Sequence, residues 1–125
     1  MAKSVHNDVL DAALNYIKNN ANLETVCTSQ PTTYAEASAN YKLADVVIDS
    51  ADFSGPADGD TSGRKIQVNQ QATITVDSSG SAQHVALCAT GDSKLLYVTT
   101  CTAQQLTQGN TVTIPAWDIE IADPS

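Results

Sequence analysis

Apolar residues recur three and four positions apart only near the start of the chain, where Val9, Leu10, Ala13, Leu14 and Ile17 fall on one stripe. That spacing predicts an amphipathic helix from Ser4 to Asn20, its stripe widened by Val5, Ala12 and Tyr16. Ser4 or Asn7 can cap it by accepting a backbone N–H. Asp8 and Asp11 suit the positive end of its dipole and Lys18 the negative end, and Asn19-Asn20 then stops it. Such a helix either covers one face or end of a sheet or serves as an arm that docks on a neighbour. As an arm, it would be dispensable for folding.

From Leu23 the period changes to two, which is the spacing of side chains along a strand. Leu23 to Thr28 reads as a short strand. Gln30 to Glu36 combines a proline turn with a capping-box pattern, Thr33 to Glu36, which predicts one helical turn. Tyr41 to Phe53 resumes a strand, and Ser54 to Gly63, rich in Gly, Pro and Asp, reads as the longest loop. Further strands are expected over 64–69, 71–77, 82–89, 94–101 and 110–122. Ser78-Ser79-Gly80-Ser81 and Gly91-Asp92-Ser93 look like hairpin connections that pair neighbouring strands antiparallel, and Gln108-Gly109-Asn110 like a further turn. Pro115 cannot donate to a ladder, so it splits the last apolar run or marks an edge or bulge. Beyond it Trp117, Ile119 and Ile121 alternate with Asp118 and Glu120, which predicts a buried apolar face, with Trp117 as a buried anchor, and a wet acidic one.

Strands spaced about ten residues apart predict a mainly β protein, an antiparallel β-sandwich or small barrel with an N-terminal α-helix. Residues 1–22 form the helical part, packed on or extending from the domain, and residues 23–125 the β-sandwich. No repeat or linker divides the chain, so it reads as one domain.

Composition changes the picture at the surface. Charged residues make up only 16% of the chain, short of the usual quarter or so. Neutral Thr, Ser, Asn and Gln must therefore cover much of the exterior, which suits a packed or assembled setting. The net charge of -8, with only six basic residues, argues against a nucleic-acid partner. No charged start precedes an apolar run and no long apolar stretch occurs, so neither a signal peptide nor a membrane partner is expected, and folding in a cytoplasm is. Cys27, Cys88 and Cys101 are odd in number and widely spaced, as expected of buried reduced thiols.

Catalytic chemistry finds little purchase. His6 lies at the helix start, and His84 shares a strand face with Ala86 and Cys88, a pairing too generic to define a nucleophile and its base. Asp45, Asp49, Asp52, Asp118 and Glu120 supply carboxylates, but no spacing selects a pair. Asp58, Asp60 and Ser62 match the opening of a calcium loop, yet Asn69 stands where a bidentate Glu would close the site and Arg64-Lys65 adds positive charge. An Asp- and Gly-rich turn explains the same residues without a metal, so no cofactor is expected.

Several strings are distinctive: 7–17 (NDVLDAALNYI), 30–37 (QPTTYAEA), 62–65 (SGRK), 84–87 (HVAL), 94–101 (KLLYVTTC) and 115–123 (PAWDIEIAD). In this order they resemble small structural proteins of tailed bacteriophages and prophages, over nearly the whole chain. The resemblance implies a virion component without enzymatic activity, foremost a capsid decoration or cement protein that binds the major capsid protein or other virion proteins, and a homo-oligomer. A neck, collar or tail component is the alternative, and a glycan- or host-surface-binding module is the rival from another class. On any of these readings Val9, Leu10, Leu14, Ile17, Trp117 and Ile119 are the candidate interface residues, since an appended helix and a strand edge are the elements most available to a neighbour.

Overall fold

A computed structural model describes residues 3–124; Met1, Ala2 and Ser125, which the expected bounds of helix and sandwich include, lie outside the described residues. The chain is mainly β, with antiparallel strands and one N-terminal α-helix. The helix, α1 (Asn7–Asn20), begins later than the periodicity suggests because His6 is its cap: the imidazole Nδ1 accepts the Asp8 N–H at 3.0 Å.

Nine strands follow among the described residues: β1 (Leu23–Cys27), β2 (Lys42–Val47), β3 (Phe53–Asp58), β4 (Arg64–Val68), β5 (Gln71–Thr75), β6 (Gly80–Ala89), β7 (Lys94–Leu106), β8 (Thr111–Ile114) and β9 (Trp117–Ile121). They form a four-stranded sheet in the order β2-β1-β6-β7, a three-stranded sheet β3-β4-β9 and a two-stranded pair β5-β8. Among the described strands β7 has β6 as its sole ladder partner, so the sheets do not close into a barrel.

Two apolar clusters fill the interior. One joins Val26, Leu43, Ala44, Val85 and Leu106 of the large sheet to Ile74 and Ile114 of the β5-β8 pair. The other joins Leu87 of the large sheet to Phe53, Ile66, Val68 and Ile119 of the three-stranded sheet and to Leu14 of α1. Leu14 is fully buried, so the helix is part of the core and not a detachable arm. Arg64 of β4 fastens it further, its guanidinium donating to both Asp11 carboxylate oxygens at 2.8 and 3.3 Å. On the opposite face of the large sheet Ala86 and Cys88 pack against Ala37.

Several elements depart from the expected bounds for identifiable reasons. The turn expected at Thr33–Glu36 continues as a π-helical segment, Glu36–Asn40. Thr33 Oγ1 caps the Glu36 N–H, but the Glu36 carboxylate reaches one residue further back than a capping box would, accepting from Thr32 N and Oγ1. The strand expected through Phe53 stops at Val47, because Asp49 and Asp52 form a reciprocal capping box around a 3₁₀ turn, Ser50–Asp52, and so turn the chain into the second sheet.

The segment read as a long loop is half strand. Pro56 is tolerated in β3 because that strand is a sheet edge with an irregular register between Ser54 and Ala57. The true turn there is shorter, closed by Gly59 N–H to Gly63 O, and Gly63 has a positive φ of 71° with the Ile121 carbonyl where a Cβ would project. Ser78–Ser81 is not a hairpin: Asp77 and Ser78 N–H groups both donate to Leu43 O, which ties the segment to β2 and lets Gly80 and Ser81 begin β6. Thr90–Asp92 does close the β6-β7 hairpin, and Pro115 splits the last run into β8 and β9.

Candidate interaction surface

The six interface candidates separate by burial. Leu10, Leu14 and Ile119 are buried within the chain and Ile17 packs against the second cluster, so none of these four faces a neighbour freely. Val9 remains, 60% exposed, and Tyr16 lies seven residues on along the same helix face. The Lys94 ammonium at the start of β7 donates to Tyr16 Oη at 3.1 Å and lies 5.8 Å from its ring centroid. Val47, 80% exposed at the end of β2, has no counterpart in the expected set.

Trp117 is half-buried and not fully buried, since β9 is a sheet edge and the indole lines a groove with Thr99, Cys101, Ile114 and Pro115. Its ring stacks on Tyr97 at 5.8 Å between centroids and touches both interior clusters. The indole Nε1–H donates to Glu24 Oε2 at 3.0 Å.

Glu24 is the functional-looking residue that the sequence reading passes over. It is fully buried on β1, between Val46 and Leu87 in register, and its Oε1 has no hydrogen-bond partner among the described residues. Burial pushes its carboxyl up to about 7, opposed by the Trp117 hydrogen bond and reinforced by the charge of Asp52. Its parity with Val26, which puts the two side chains on the same face of the strand, was the available signal.

The residues of the calcium-like loop are committed elsewhere. Asp58 accepts from Arg64 at 2.7 Å, Asp60 from Lys65 at 2.6 Å, and Ser62 Oγ accepts the Asp123 N–H at 3.2 Å. They do not converge, and among the described residues no group of three His, Cys, Asp or Glu side chains is placed to hold a metal. Asp118 joins the Lys65 pair at 3.4 Å and Asp45 pairs with Lys42 at 2.9 Å, while Asp49 and Asp52 serve the turn described above. Glu120 accepts the Thr61 N–H.

Cys27 and Cys88 are buried as expected, but Cys101 is exposed because it lies on the outer strand; all three are free thiols. Burial raises each thiol above its ordinary range, Cys88 to about 11, which disfavours the nucleophilic thiolate. His84 is half-buried on β6, its Nδ1 without a hydrogen-bond partner among the described residues.

The most extended free feature is β7 itself. It runs thirteen residues, longer than the Lys94–Cys101 expected, because it continues alongside Gly80–Ala82. Thr100, Cys101, Thr102, Ala103, Gln104 and Gln105 are exposed on both faces in succession. From Leu95 to Trp117 there is no Asp, Glu, Lys or Arg. No helix among the described residues is long and apolar enough to cross a membrane. The chain matches no protein-family model, no curated protein and no solved structure.

Proposed function

We propose that the protein is a non-enzymatic structural component of a tailed-phage particle, a capsid decoration or cement protein that binds the outer head lattice in many copies. The observation that carries this reading is the exposed second half of strand β7, Thr100–Gln105, inside a 95–117 stretch without charge on an otherwise strongly acidic molecule. The open side of an edge strand offers backbone N–H and C=O groups to a neighbour without requiring a charged partner. Many modest contacts of that kind add up on a repeating lattice. The resemblance of the 7–17, 94–101 and 115–123 strings to small phage structural proteins points the same way. The raised thiols and the dispersed, already paired carboxylates support assembly over chemistry.

Immunogold labelling of purified parent particles with an antibody to this chain tests the assignment. Label distributed over the head is expected. Label confined to the neck or tail would move the protein to those structures, and unlabelled particles would remove it from the virion.

A further inference from the structure

We infer that β7 is a self-association edge, on which a second copy of this chain pairs antiparallel through its own β7. The inference extends the proposed structural role, but its test reads association in solution and not particle binding, so either can fail without the other.

The other sheet edges are blunted in the ways that proteins commonly use. β3 carries Pro56, and Lys18 Nζ donates to Gly55 O at 2.9 Å. β9 presents Asp118 and Glu120 and is entered through Pro115. The outer edge of β2 is met by Val76, bridged to Ala44, and by the two N–H groups on Leu43 O. β8 has four residues, and β5 contains Thr73 at a φ of 59°. Between Leu95 and Leu106, β7 has neither proline nor charge.

Charge selects the occupant. All fourteen acidic and all six basic residues lie outside 95–117, so the repulsion between copies with a net charge of -8 is carried by the rest of the surface. Two copies that meet along β7 place no like charges opposite each other on the strand, whereas a basic partner would find nothing there to attract it. Antiparallel pairing is also self-complementary about a twofold axis, which is what an isologous dimer requires. It would join two four-stranded sheets into one continuous sheet.

Pairing centred on the middle of the strand sets Thr100 opposite Thr100 of the second copy and Cys101 opposite Thr99. The two Cys101 side chains then become diagonal neighbours on one face, roughly 7–8 Å apart at their backbones. Sedimentation velocity on the full chain, with a short bismaleimide as a thiol bridge, tests this directly. The expected result is a concentration-dependent dimer that strengthens with added salt, and a crosslinked dimer that disappears in Cys101→Ser. Thr100→Lys combined with Thr102→Lys should keep the circular dichroism spectrum and melting temperature but abolish both dimer and crosslink, since two lysines would face each other at the axis. A wild-type chain that stays monomeric and uncrosslinked overturns the inference, as does a dimer that survives in the folded lysine variant. Should the lysine variant misfold, the wild-type crosslink decides: a bridge from Cys101 to Cys101 supports the pairing and its absence refutes it.

Discussion

Burial couples Glu24 to pH, and the hydrogen bond from Trp117 only partly offsets it. With its carboxyl near 7 in the folded chain and at the ordinary 4.5 when unfolded, Glu24 binds its proton more tightly in the native state. The sign follows. Stability from the protonated form is fully present below about pH 4.5, falls as pH rises, and is lost above about 7, a span on the order of 3 kcal/mol. Glu24→Gln keeps an acceptor for the indole N–H and cannot titrate. Urea denaturation of both proteins at pH 5, 6, 7 and 8 should therefore show the wild type weakening relative to the variant, and parallel curves would refute this account of Glu24. Trp117→Ala removes the ring that touches both clusters and also leaves the carboxylate without its donor, so a loss of about 3 kcal/mol is expected. Trp117→Phe, which keeps one aromatic ring in the packing and loses the donor with the rest of the indole, should cost about half as much by the same measurement. A Trp117→Ala variant with unchanged denaturation would mean that the indole is a surface group and not an anchor.

At the scale of elements, α1 is a core wall, the first of the two roles its periodicity allows. Leu14→Ala should cost about 2–5 kcal/mol because the leucine is fully buried between β4 and the rest of its cluster. Removal of residues 1–20, which also takes Asp11 from Arg64, should give a chain without a cooperative thermal transition; a truncated chain that melts normally would restore the arm. What the sequence shows of the fold is its periodicity. The helix, the alternation in 117–121 and the Gly91-Asp92-Ser93 turn are local signals and each has its element in the structure, although Val9 and Ala13 of the helix stripe are exposed and Trp117 is half-buried. The errors fall where local chemistry and long-range pairing disagree. Gly55 and Pro56 disguise β3 as loop because composition cannot reveal that the strand is an edge. Gly80-Ser81 resembles a turn until Gln105 and Leu106 pair with it. The interface candidates show the same limit: period marks Leu10, Leu14 and Ile119 as apolar, but only packing places these three in the core of the chain. The exposed neutral length of β7 was present in the letters, as an absence of charge from 95 to 117, but its edge position was not.

At the scale of the molecule, the two interior clusters and the Ala37 contact on the opposite face of the large sheet, a third and smaller cluster, meet on one strand. β6 supplies Ala82 and Val85 to the first cluster, Leu87 to the second, and Ala86 and Cys88 to the third, and it is paired on both sides by β1 and β7. Fraying of β7 at its far end, lifting of α1 or opening of the β5-β8 pair would each disturb only part of that shell. The amide protons of residues 85–88 are thus shielded from solvent by several independent walls, and losing one wall does not release them. Their exchange with deuterated water should proceed only when the whole chain opens, and the opening free energy they report should equal that from chemical denaturation. Amides at 100–105 should exchange orders of magnitude faster in the isolated chain. An amide at Ala86 or Leu87 that exchanges as fast as those at 100–105 would mean that the three clusters open separately, and that this small protein unfolds in pieces.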